Sequence, residues 1–285
     1  MEILKMKKII AALFVVLSFS IVSAASERIV VAGGSLTELV YALGAGNQVI
    51  GVDETTSWPV ETAKLPHIGY WKQLSAEGIL SLHPTLFVTW QDASPQLVFD
   101  QLKLQKVSVL TLPRIPATVE QMYLNIHTLS EVLHKPEQGN ALVNQLRSRL
   151  DNIAQINEKK GKKINVLFIL SAGSSAPQIA GKGSVADIIL TLAGANNLAQ
   201  HTQYRSYSAE GLIAANPEVI IVTSQMVEKG LNQLEQVPGL TRTSAWKNKR
   251  IVSIDQALIL GMGPRIADAV EILHHNIWPD ETDSE

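Results

Sequence analysis

The sequence predicts an α/β fold, with two Rossmann-like lobes of mostly parallel sheets joined by a long helix. Short β-rich runs alternate with helical patterns, and alternation at this spacing builds parallel sheets with helices on both faces. One stretch also returns. Tyr70-Trp71-Lys72, Ser75-Ala76-Glu77-Gly78 and Pro84 match Gln203-Tyr204-Arg205, Ser208-Ala209-Glu210-Gly211 and Pro217, an offset of 133 residues from Glu77 to Glu210. An earlier pair, beginning Gly34-Ser35 and Gly183-Ser184, repeats at an offset of 149. Two long-period matches in the same order mean two lobes on one plan, not a short-repeat solenoid.

Residues 1–25 read as a secretory signal. Lys5, Lys7 and Lys8 precede an apolar run over 9–22, and Ser23-Ala24-Ala25 supplies small residues for cleavage. The run is too short for a comfortable membrane span. Cleavage removes three lysines and Glu2, taking the formal charge from −2 to −4; nucleic acid is therefore not an expected partner. No second apolar stretch is long enough to cross a bilayer, so a soluble periplasmic monomer is expected. The chain has no cysteine, which removes disulfides, thiolate chemistry and a lipid-modified N-terminal Cys. Stability must then come from a large core, which roughly 260 residues can provide.

The first lobe is expected over 26–117. A strand at 28–32 ends in Gly33-Gly34, with Ser35 placed to cap a helix over 36–43. Such a turn could cradle a phosphate, but without G-x-G-x-x-G or a Walker lysine it reads as a tight turn with an N-cap. A strand at 48–52, the loop 53–67, a short helix capped by Ser75, a strand at 86–90, a helix over 95–105 and a strand at 107–112 follow. Thr118 with Gln121 gives a capping-box signal, and Val119, Met122, Tyr123, Ile126, Leu129, Val132 and Leu133 keep helical spacing up to Lys135-Pro136. This is the interlobe helix, 118–135. The second lobe, 136–285, opens with an amphipathic helix over 137–156 and the basic loop 159–163. Strands at 164–170, 219–223 and 250–254 and helices at 183–192, 208–215 and 265–277 complete it. Lobes joined by a helix leave a cleft of nearly fixed width, a usual place for a small-molecule site.

Tyr70 lies in a Gly-Tyr-Trp loop where βα loops gather, the side on which open parallel sheets bind ligands. Trp71 offers an aromatic surface beside it. Lys72 and Arg205 are matched cations, one per lobe, with Tyr204 next to Arg205. This set suits a flat, anionic, aromatic ligand whose faces meet rings and whose carboxylates meet cations. Glu77 and Glu210 each fall in the first turn of a Ser-capped helix, where the helix dipole favours a carboxylate.

With GGSLTELVYALG, IGYWKQLSAEGILSL and GKGSVADIILTLAG in place, the chain resembles the periplasmic haem-binding subunits of bacterial haem-uptake ABC importers. The resemblance spans essentially the whole chain after the signal, and Gly-Tyr followed by Ser-Ala-Glu-Gly is its most specific part. It implies ferric haem carried as cargo and held through Tyr70, with Trp71, Lys72, Tyr204 and Arg205 around it. Phenolate is a hard donor and a known axial haem ligand type; a free phenol titrates near pH ~10, so ligation at neutral pH needs Fe(III) or nearby positive charge. The resemblance also implies that Glu77 and Glu210 dock onto arginines of a two-fold inner-membrane permease with its ATPase. An outer-membrane haem receptor would act upstream. Some such proteins hold a second haem through a His; Ala172 and Gly173 stand where that His is expected, and His67 and His201 are the nearest others. One haem is expected here.

The closest alternative is a corrinoid or ferric siderophore in the same architecture. A zinc or manganese carrier needs converging His and carboxylates, whereas these His are scattered and His274-His275 points to adjacent angles of the last helix. A hydrolase would want a nucleophile turn; there is no G-x-S-x-G and no Cys. No enzyme activity is expected.

Overall fold

Four short apolar strands make the first sheet: β1 (Ile29–Ala32), β2 (Val49–Val52), β3 (Leu86–Trp90) and β4 (Ser108–Leu112). Their order is β2-β1-β3-β4, parallel throughout. β1 and β3 are buried along their whole length, which is why they read as continuous Val/Ile/Leu-rich runs rather than alternating patterns. The computed structural model describes residues 27–171, 176–228 and 230–278. The expected signal peptide and the Ala172-Gly173 position lie outside them. Among the described residues no helix is long and apolar enough to cross a membrane.

Three helices accompany this sheet: α1 (Gly34–Ala42), α2 (Ala76–Leu80) and α3 (Leu97–Leu104). Ser75 caps α2 as expected, accepting from the Gly78 N–H at 3.4 Å. Ser35 does not cap α1. The helix starts earlier, with Gly33 at φ 135 as its N-cap and no side-chain cap bond; the Gly33 carbonyl accepts from the N–H groups of Leu36 and Thr37. Gly33 is needed for close packing as well, because a Cβ there would lie 2.6 Å from Trp90 Nε1.

Both expected connecting helices form, α4 (Val119–Val132) and α5 (Pro136–Lys160). Thr118 caps α4 by accepting from Gln121 N–H at 3.0 Å, but the reciprocal half of the capping box is absent: Gln121 turns to Asn125 instead. α5 has 25 residues, roughly 37 Å of helix at 1.5 Å per residue. It stops at Gly161, whose φ of 63 is the left-handed C-cap conformation.

The second sheet has β5 (Ile164–Ser171), β6 (Gln178–Ala180), β7 (Ala195–Asn197), β8 (Tyr204–Ser206), β9 (Val219–Thr223) and β10 (Ile251–Ile254). The order is β10-β9-β5-β6-β8, with β7 also paired to β5. β10, β9, β5 and β7 are parallel, whereas β6 and β8 extend the sheet antiparallel. Tyr204 and Arg205, to which the sequence pattern assigns no element, therefore lie on a strand. Helices α6 (Val185–Leu192), α7 (Ala209–Ala215), α8 (Ser244–Lys247), α9 (Gln256–Ile259) and α10 (Ile266–Ile277) complete the lobe. α5 packs on α4, α6 and α10, and Arg149 on α5 bonds Asp268 and Glu271 on α10 at 2.7 and 2.6 Å. One apolar cluster runs without a break from β1 and β3 through α4 and α5 to α6 and α10. A core shared in this way ties the two lobes together rather than leaving them to swing on a flexible linker.

Candidate functional site

The carboxyl ends of both sheets open onto one cleft of about 720 Å³. Gly34 and Ser35 follow β1, Glu54 and Thr55 follow β2, Trp90 ends β3 and Arg114 follows β4; from the other lobe come Leu170 at the end of β5, Gln225 after β9 and Asp255 after β10. Ligands of open α/β sheets bind outside the carboxyl ends of strands, and the size suits a large organic cofactor.

The floor of the first-lobe side is held by a buried carboxylate. Asp53 is fully buried and accepts from Thr55 Oγ1 at 2.9 Å and Thr56 Oγ1 at 3.2 Å, while Thr55 Oγ1 in turn accepts from the Gly34 N–H at 2.8 Å. Burial pushes the Asp53 carboxyl up, against the hydrogen bonds from Thr55, Gly33 and Thr56 that favour its charge. The turn after β1 is thus tied to the 53–57 loop, and the next residue, Glu54, donates its N–H to the Gly69 carbonyl at 3.0 Å. That bond positions the loop carrying Tyr70.

Tyr70 lines the cleft and is 37 % exposed. It meets Trp71 edge to face, with ring centroids 5.6 Å apart. Trp71 also lines the cleft but is only 7 % exposed, and its ring carries Lys72 Nζ at 4.5 Å and the Arg114 guanidinium at 4.7 Å. Tyr204 lines the opposite wall. Its hydroxyl is buried beside Ser184, and burial pushes the phenol up to about 12 against the opposing influence of Ser184 and Arg114. The two matched cations are placed differently from the sequence expectation. Lys72 is bound to Asp92 at 2.9 Å and Arg205 is exposed on β8; neither lines the cleft. His67 is exposed, and His201 Nε2 lies 3.1 Å from the Ile179 carbonyl, so neither reaches the cleft wall.

Two groups at the site were not legible in the sequence. Arg114 reaches Asp92 through Nε and Nη2, both at 3.2 Å. Burial works against the Asp92 charge, yet hydrogen bonds from Lys72 and Arg114 hold its carboxyl below the usual range. At the other edge, Glu38 of α1 meets Arg265 in a two-pronged pair at 2.9 and 2.5 Å across the lobes. Glu38 is 6 % exposed, and burial raises its carboxyl despite the opposing hydrogen bond and charge of Arg265. Arg265 also lies over Trp58 at 5.3 Å. The turn before Arg265 seats directly on the first lobe: a Cβ on Gly263 would lie 2.9 Å from Ser35 Cβ.

Glu77 and Glu210 are exposed, each in the first turn of its helix beside a capping serine. The Glu210 carboxyl is held below its ordinary value by its own backbone N–H and by Ser208.

A model of the periplasmic binding protein family matches residues 29–258. The chain belongs to that family. Among solved structures, this periplasmic binding protein is similar to the periplasmic haem-binding protein RhuT from Roseiflexus sp. RS-1, at 32 % identity and a TM-score of 0.83, covering 89 % of this chain and all of that one. It is also similar to the periplasmic haem-binding protein BhuT in complex with two haems, at 31 % identity and a TM-score of 0.82, covering 89 % and 98 % of the two chains. Among curated relatives, a vitamin B12-binding protein of Yersinia pestis (strain Pestoides F) is 24 % identical over 84 % of this chain and 86 % of its own length.

Proposed function

We propose that this periplasmic binding protein carries ferric haem to an inner-membrane ABC permease and its ATPase, with the haem iron held by Tyr70. The observation that carries this reading is an exposed phenol on the wall of a cleft large enough for a porphyrin, flanked by Trp71 and facing Tyr204. Similarity above 30 % to two haem-binding proteins supports it. Membership of the family implies export and a role as a solute carrier rather than an enzyme; the sequence of residues 1–25 supports a signal peptide and a periplasmic location. One haem is the expected load. Glu77 and Glu210, one exposed on each lobe in repeated settings, are the permease contacts in this reading; paired charges facing a symmetric partner set register and on-rate.

The test is the Tyr70→Ala variant. Wild type should develop a Soret band with ferric haem that the variant lacks or shows shifted and weakened. An unchanged spectrum and affinity in the variant would remove Tyr70 from the site.

A further inference from the structure

The two lysine and arginine positions matched by the repeat do not line the cleft, so an anionic cargo must find its positive charge elsewhere. Among the described residues, the charged groups on the cleft wall are Glu38, Glu54, Asp255 and Arg114. Three are acidic, and Glu38 is already paired with Arg265. Arg114 is the cation of the set.

Its geometry is that of a group held ready. Nε and Nη2 are both spent on Asp92, and the guanidinium carbon lies 4.7 Å from the centre of the Trp71 ring. Nη1 has no hydrogen-bond partner among the described residues. Lys72 Nζ donates to Oδ2 of the same carboxylate, the oxygen that also accepts from Arg114 Nη2, so Lys72, Asp92 and Arg114 together carry one net positive charge. A guanidinium bonded along one edge and held against a ring keeps its remaining N–H groups at a defined place, and Arg is the side chain best suited to carboxylates. Trp71 then has a second role: its face holds two cations rather than covering a ligand.

We propose that Arg114 receives a carboxylate of the cargo through Nη1, with Asp92 as a positioning residue that fixes the guanidinium beside Tyr70 and Trp71. Lys72 acts through Asp92 rather than on the ligand. For the haem reading, on which this rests, the carboxylate is a propionate.

The experiment compares ferric haem with its dimethyl ester, which keeps the ring and iron but has no propionate charge. Wild type should prefer haem over the ester. Arg114→Gln should lose roughly tenfold to a hundredfold in haem affinity, the range for one hydrogen bond to a charged group, while binding the ester as wild type does. Arg114→Lys should recover part of the loss. Asp92→Asn should shrink the preference for haem over ester without moving the Soret maximum, since iron ligation is untouched. Equal haem affinity in Arg114→Gln, or equal losses for haem and ester, would overturn the assignment while leaving the haem reading in place. Wild type that binds neither compound would overturn both.

Discussion

Removing Arg265 probes how the lobes are held together. In Arg265→Met the apolar stem survives but Glu38 keeps a carboxylate that is 6 % exposed and has lost its two-pronged partner. Leaving one member of a buried pair uncompensated costs about 3–5 kcal/mol. The Arg265 side chain is 22 % exposed, so water reaches the site and the low end, about 3 kcal/mol, is expected. For a chain of this size that is a fall in Tm of roughly 6–12 °C. The pH dependence has a definite sign. Burial already raises the Glu38 carboxyl, and the opposing influence of Arg265 disappears in the variant, raising it further. A carboxyl whose folded value is raised is tolerated while protonated and penalised as pH rises through that value. The deficit should therefore be smallest near pH 5 and grow toward pH 8. Calorimetry of wild type, Arg265→Met and Glu38→Gln/Arg265→Met across that range measures it. The double variant should recover much of the loss, because no unpaired charge remains. A deficit independent of pH, or a double variant worse than the single one, would refute the buried-pair reasoning.

Two further outcomes follow from the same geometry. Gly263→Ala places a Cβ 2.9 Å from Ser35 Cβ and 3.1 Å from the Ser35 carbonyl oxygen; overpacking of this kind costs about 1–3 kcal/mol, which calorimetry should read as a Tm below that of wild type, and an unchanged Tm would show that the turn yields freely. Glu77→Ala with Glu210→Ala should leave ligand binding and Tm nearly unchanged, since both side chains are exposed, while cargo uptake through the permease falls sharply; intact uptake would reduce both residues to helix-end carboxylates.

Much of the framework was legible because it is written locally. Buried parallel strands such as β3 and β9 are unbroken apolar runs, and the capping serines of α2 and α7 sit one residue before helices that their hydroxyls do cap. Ser35 misled because the chain turns at Gly33 with a positive φ, a backbone device that leaves no capping side chain to read. β6, β7 and β8 have three residues each, too short for any period to show. The site was legible only where its residues are adjacent. Tyr70 and Trp71, singled out from one loop, and Tyr204, singled out from its repeat, all line the cleft. Arg114, 22 residues from Asp92, and Arg265, 227 residues from Glu38, were not, because pairing at that range is set by topology. The repeat also suggested more symmetry than exists: Lys72 and Arg205 align, but Asp92 claims Lys72 while β8 turns Arg205 to solvent.

The central claim is that the cleft takes a porphyrin whose iron meets a phenolate. Titrating the purified protein in parallel with ferric haem and with cobalamin, followed by absorption and calorimetry, tests it most directly. Saturable haem binding with a ferric tyrosinate-type spectrum and no measurable cobalamin binding is the predicted result. Cobalamin binding with haem left free in solution would contradict it.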